Sequence, residues 1–206
     1  MVILSTLVVL VLLGLYGRDL IKNRMNTKQI VVIAMMAALS CVLSFFKIVS
    51  LPQDGGITLF SMLPIMLVGV LYGRTAGVTC GLVTGVISLI NGVYIVHPIQ
   101  FFLDYLLGSM ALGLAGVFGS DNKVKLLFGG LFASGLCVLS YFTSGVVFFA
   151  EFAPEGMNPY VYSFVYNFFS AGVEGIVTSF VLLFIPLKQL AKQLKIGKEN
   201  KYSIGL

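Results

Sequence analysis

The residues best equipped for chemistry lie in one stretch, Asn91 to Ser109. Its sequence, NGVYIVHPIQFFLDYLLGS, sets Asp104 inside an apolar run, directly before Tyr105 and shortly after Tyr94 and His97. An ionised side chain at bilayer depth costs about 3 kcal/mol or more, so an acid in such a place faces a partner, a cavity or an ion pathway. Tyrosines beside it add hydroxyl groups and π faces. A carboxylate within aromatic walls suits a small, flat, cationic ligand, with the acid offsetting the charge and the rings stacking on it. Catalysis is a poorer reading. The chain has one histidine; it offers no Ser-His pair, no aspartate dyad at matching depth and no glutamate-histidine metal site, and no phosphate-cradling glycine loop followed by lysine. No enzyme activity, metal or cofactor is therefore expected.

Positioning that acid is the task of a membrane bundle. Hydrophobic residues make up 58% of the 206-residue chain and charged residues 10%, and the mean hydropathy is +1.02, well outside the range of soluble domains. The apolar runs reach helical spanning length and lack the short alternation of barrel strands, so the expected class is all-α. The net charge of +5 comes from basic residues in the gaps between runs, where they set topology instead of marking a nucleic-acid surface. Cys41, Cys80 and Cys137 fall singly inside predicted spans, without metal-ligand spacing, and read as small packing residues.

Residues 1–24 form an apolar appendage or extra helix, followed by an ordinary start at Met25-Asn-Thr-Lys-Gln. Six spans are expected in the domain 25–190: about 29–46, 58–72 interrupted by Pro64, 75–90, 99–118, 126–149 and 160–186, with a basic tail over 191–206. Pro52 and Gly55-Gly56 make 47–57 a helix-breaking loop, Gly73-Arg74 a tight turn, and 151–158 another breaker-rich loop. Gly77, Gly81 and Gly85, four apart, form a packing seam. Small residues in the first span, including Ala34, Ala37, Ala38 and Ser40, serve either internal packing or the docking of another membrane protein.

Every Lys and Arg except Lys47 falls on one side of this six-span arrangement, which places both ends of the bundle in the cytoplasm. Asp104, Tyr141, Tyr162 and Asn167 then lie one to two turns below the outer surface. Structural roles compete at each position: Asp104 as an acid bonded to a neighbouring span, Tyr94, Tyr105 and Tyr162 as interfacial anchors, Asn167 as helix glue. His97, before Pro98, reads as a capping or surface residue. Glu174, the other intramembrane acid, sits too far along its helix to pair simply with Asp104.

The strings HPIQFFLDY, LPQDGGITLFSMLPI and YSFVYN strongly resemble the ThiT/YuaJ family, the thiamine-specific substrate-binding (S) components of energy-coupling factor transporters. The similarity runs from about Met25 to Lys188. It implies a multi-pass, six-helix subunit of a bacterial plasma membrane that captures thiamine from outside. It also implies delivery to a transmembrane coupling protein with two ATP-hydrolysing subunits, ATP being used only by those partners. By the same resemblance Ala34 and Ala38 match the family's docking motif, Asp104-Tyr105 its acid-tyrosine pair facing thiamine, Tyr94 a binding tyrosine of the preceding loop, and Tyr162 and Asn167 the groups that bind the aminopyrimidine. Tyr141 stands where some members have histidine and Phe149 where some have tryptophan. Gly55-Gly56 replaces a tryptophan of some members' first external loop. The resemblance pairs Asp104 with the thiazolium and leaves the stacking partner open between Phe149 and a tyrosine. Gly55-Gly56 and Pro154 mark the first and third external loops as lid candidates. The alternatives are a subunit for riboflavin or hydroxymethylpyrimidine, or a small channel or structural membrane protein.

Overall fold

The computed structural model describes residues 2–53, 55–92 and 94–194. Five of its helices are long and apolar enough to cross a membrane: α1 (Val2–Lys22), α2 (Thr27–Ser44), α5 (Pro98–Gly116), α6 (Lys123–Phe148) and α7 (Pro159–Leu182). Two shorter helices, α3 (Leu63–Tyr72) and α4 (Arg74–Ile87), pack between them. A final short helix, α8 (Leu187–Gln193), runs across the boundary expected between bundle and tail. The rest of the tail, 195–206, with Lys195, Lys198 and Lys201, lies outside the described residues.

Local signals account for the helix starts. Asn26 closes a capping box with Gln29, each side chain taking the other's backbone N–H at 2.9 Å, which satisfies two donors that the first turn of α2 leaves orphaned. Asn122 caps α6 and Asn158 caps α7. His97 caps α5 by accepting from the Ile99 amide at 3.1 Å, the capping role expected of it, and Pro98 and Pro159 follow at first-turn positions where a missing N–H costs nothing.

Two expectations are corrected between residues 47 and 72. The breaker-rich loop is an antiparallel hairpin of β1 (Lys47–Ser50) and β2 (Gly56–Thr58), and Leu51 extends the pairing by donating to the Gly55 carbonyl at 2.9 Å. Pro64 does not interrupt a span; it lies in the first turn of α3, which starts at Leu63. Ten residues of helix reach about 15 Å, half the hydrocarbon thickness. The hairpin therefore enters the bundle: Thr58 meets Glu174, which lies fifteen residues (174 − 159) into α7, roughly 22 Å along its axis.

The glycine seam is a close approach of α4 to α5. A Cβ placed on Gly77 would stand 2.3 Å from the Gly113 carbonyl oxygen, on Gly81 2.2 Å from that of Ser109, and on Gly85 2.2 Å from that of Tyr105. Backbone cannot yield as a flexible side chain can, and the seam ends beside Tyr105, so it sets the depth of the acid-tyrosine pair. Gly81→Leu should therefore cost at least the upper end of the roughly 1–3 kcal/mol typical of overpacking. The expected result is a clear fall in the thermal unfolding midpoint of detergent-purified protein.

The buried face of α2 consists of Ile33, Ala37, Ser40 and Cys41, whereas Ala34 and Ala38 are exposed. Cys80 and Cys137 are also buried, so all three cysteines pack inside the bundle. Helix α1 stands partly off: only Ser5 and Val9 are buried, and an apolar crevice of about 850 Å³ separates it from α5 and α6. Polar bonds tie its C-terminal end to α4. Tyr16 pairs with Thr79 at 2.9 Å, and Asp19 accepts from Arg74 at 2.7 Å and from Thr75 at 2.6 Å.

Candidate functional site

At the hairpin end, α5, α6 and α7 part around a cavity of about 230 Å³, somewhat below the roughly 300 Å³ at which ligand sites usually begin. Three helices and the hairpin each contribute a wall. Helix α5 supplies Asp104 and Tyr105. Helix α6 supplies Tyr141 and Gly145, and Phe149 follows at its C-terminal cap. From α7 come Tyr162, Ser163, Tyr166, Asn167, Ser170 and Glu174, and the hairpin segment adds Gly55, Thr58 and Ser61.

Asp104 lies in a π-helical stretch, Phe102–Leu107. The wider turn inserts a residue and leaves room beside the backbone, a common device at functional sites. A second π segment, Phe168–Gly172, follows Asn167 in α7. The Asp104 carboxylate accepts from Gln100 Nε2 at 2.6 Å. Gln100, 1% exposed, also donates to the Tyr94 carbonyl at 3.2 Å and accepts from the Val96 amide at 3.2 Å. One glutamine thus binds the acid to the loop before it.

Six of the seven expected binding residues line this one cavity: Asp104, Tyr105, Tyr141, Phe149, Tyr162 and Asn167. Tyr94 does not. It stands at the rim, 41% exposed, with its ring 6.2 Å from Phe149 and 6.5 Å from Phe152. Its backbone is held from both sides, since its amide donates to the Tyr105 hydroxyl at 3.2 Å. The loop preceding α5 is short and tied by Gln100, which keeps the Tyr94 ring over the mouth instead of inside.

Close packing explains two of the walls. Tyr141 lies against Gly108 of α5, where a Cβ would come within 2.3 Å of its ring. Gly145 gives Ser163 access to the Phe142 carbonyl at 2.9 Å, and Asn167 donates to the Ser163 carbonyl at 2.9 Å. The hairpin closes over the remaining side: Tyr166 donates its hydroxyl to the Pro52 carbonyl, and its ring occupies the space a side chain at Gly55 would need.

The sequence reading missed Glu174, Tyr166 and Gln100. Glu174 is 4% exposed and belongs to the same cavity as Asp104. Its Oε1 accepts from the Thr58 hydroxyl at 2.7 Å and the Ser61 hydroxyl at 3.0 Å, and its Oε2 from the Thr58 amide at 2.8 Å. Its hydrogen bonds go to the hairpin segment and not to Asp104, as its distance along the helix implies, yet the two acids line one cavity from different walls. A signal existed in the spacing: Ser163, Asn167, Ser170 and Glu174 fall at i, i+4, i+7 and i+11, one polar face of an otherwise apolar helix. Among the described residues, no Lys, Arg or His lines the cavity beside its two carboxylates.

Comparison with known proteins places the chain among transporters. The family described as thiamine transporter protein matches residues 30–194. The thiamine transporter ThiT of Bacillus subtilis is 33% identical over 184 residues, covering 81% of this chain and 95% of the relative. That of Lacticaseibacillus paracasei is 28% identical over 197 residues, covering 84% and 94%. Among solved structures, ThiT from Listeria monocytogenes superposes with a TM-score of 0.71 at 22% identity, over 81% of this chain and 96% of that one. The S component of a bacterial ECF transporter gives 0.57 at 22% identity, over 83% and 99%. These two likenesses establish the helical membrane fold. Helix α1 lies before the family match.

Proposed function

The chain belongs to the thiamine transporter protein family, and from that premise we propose that it is the membrane subunit that captures thiamine for uptake powered by partner subunits. It is a transport component and not an enzyme. The observation that carries the reading is the cavity, where a carboxylate without a neighbouring cation among the described lining residues sits within aromatic walls. Thiamine carries a permanently cationic thiazolium joined to a neutral aminopyrimidine. Asp104 offsets the thiazolium charge, Tyr162 and Asn167 bind the aminopyrimidine, and Phe149 or a tyrosine stacks on a ring. Tyr141 completes the inner aromatic wall, Tyr105 the wall beside the acid, and Tyr94 closes the mouth.

The basic residues at the opposite end support a cytoplasmic placement of the bundle's termini in a bacterial plasma membrane, with the cavity opening outward. Ala34 and Ala38, exposed on α2 away from its packed face, form the docking strip for a transmembrane coupling protein, itself joined to two ATP-hydrolysing subunits. Small residues at that spacing let a partner helix come close in lipid, where packing replaces the hydrophobic effect as the driving force.

Isothermal titration of the purified protein tests the reading. Saturable one-to-one binding of thiamine is expected, with no saturable signal for riboflavin, whose uncharged ring system gives Asp104 nothing to neutralise. Failure to bind thiamine, or preference for riboflavin, would overturn it.

A further inference from the structure

Glu174 is a second carboxylate in the cavity, and a ligand with one positive charge leaves it unbalanced. Its protein partners are Thr58 and Ser61, which supply three donors: two to Oε1 and one to Oε2. An ionised carboxylate offers about four acceptor positions, so Oε2 retains capacity for one more donor. The bonds it already has hold the group in place, as a ligand-reading group requires.

Position decides which part of a ligand it meets. Asn167 and Glu174 are seven residues apart on α7 and line the same cavity, Glu174 farther from the helix start at Pro159. Asp104 reaches the cavity from α5, a different wall. A ligand whose cationic ring lies by Asp104 and whose other ring lies along α7 therefore presents the edge of that second ring to Glu174.

We propose that Glu174 is a specificity-determining residue, an acceptor at the inner end of the cavity that selects ligands whose second ring carries an amino group and rejects those with an oxo group there. This rests on the thiamine reading of the site and deepens it. An amino N–H donates to Oε2. An oxo group brings an acceptor against a carboxylate whose surrounding donors are already engaged, and a buried acceptor facing an acceptor loses its bond to water without gaining another. Sites built to pair with a polar group reject analogues that cannot pair far more strongly than apolar pockets reject a change of size.

The test compares thiamine with oxythiamine, the analogue bearing oxo in place of the pyrimidine amino group, by calorimetry on the full-length protein. The unmodified protein should bind thiamine about 100-fold more tightly or better. In Glu174→Gln, whose amide can donate to the oxo group, that ratio should shrink about tenfold or more. A purely structural role for Glu174, anchoring the hairpin through Thr58 and Ser61, would weaken both ligands alike and leave the ratio unchanged; that result overturns the proposal, as would equal binding of the two ligands by the unmodified protein. Should the Gln variant not fold, Glu174→Asp serves the same comparison, since a carboxylate one methylene shorter withdraws from the ring edge, and an unaltered ratio again overturns it. Thiamine binding with an unmoved ratio sinks this inference alone, whereas no thiamine binding by the unmodified protein removes the family-based reading as well.

Discussion

Asp104→Asn should raise the dissociation constant for thiamine by about 100-fold or more while leaving the unliganded bundle as stable as before. Removing one partner of a buried charge pair costs roughly 3–5 kcal/mol because the other charge is left uncompensated, and about 1.4 kcal/mol is a factor of ten. No other group in the cavity takes over cheaply. Glu174 is held on a different wall by Thr58 and Ser61, and the remaining polar groups lining the cavity are neutral. Folding is spared because the asparagine oxygen can accept the Gln100 amide that Asp104 holds at 2.6 Å. Calorimetry reads the binding and a thermal melt of the empty protein reads the stability. An uncharged thiamine analogue supplies the cycle: its affinity should be nearly insensitive to the substitution. Equal loss for charged and uncharged ligands would mean that Asp104 shapes the cavity and does not neutralise the ligand.

The second large effect falls on transport with binding intact. Ala34→Leu combined with Ala38→Leu should abolish thiamine uptake by the assembled transporter, at least tenfold down, while the isolated subunit binds thiamine with unchanged affinity. These two alanines are exposed beside a packed face made by Ile33, Ala37, Ser40 and Cys41, so added methyl groups meet lipid in the free subunit and cost it little. In a complex they stand where a partner helix must approach within the small-residue distance, and packing in lipid has no hydrophobic gain to compensate for a lost fit. Co-purification with the coupling protein, measured beside uptake in whole cells, separates the steps. Normal uptake in the double variant would place docking on another face of the subunit.

Much of this protein was legible from its chain because lipid is a stringent solvent. Apolar runs had to become helices, since in hydrocarbon every backbone polar group needs an internal partner, and the observed α2, α5, α6 and α7 fall close to the expected spans. Asp104 stood out for the same reason: an acid in an apolar helix requires an explanation. The glycines at 77, 81 and 85 read as a seam because only small residues at four-residue spacing bring backbones together, and the α4–α5 contact is of that kind. The identity of the ligand came from motif resemblance, not from any of these patterns.

Other features depended on contacts between segments far apart in sequence. Nothing local distinguishes residues 47–58 as a hairpin from a loop of the same composition, and the hairpin is held partly by Tyr166 at Pro52 and by Glu174 at Thr58, more than a hundred residues away. Glu174 itself was visible as an acid, yet its place in the cavity depends on how deep that hairpin reaches. Tyr94, expected as a binding tyrosine of the loop before α5, stands at the rim, where Gln100 and Tyr105 fix its backbone. By itself the sequence determined the solvent, the helices and the expensive charges, since those follow from the transfer energies of single side chains and segments. Which charges share one cavity was decided only by the tertiary structure, because that depends on the relative depth and rotation of elements, quantities set by packing between them.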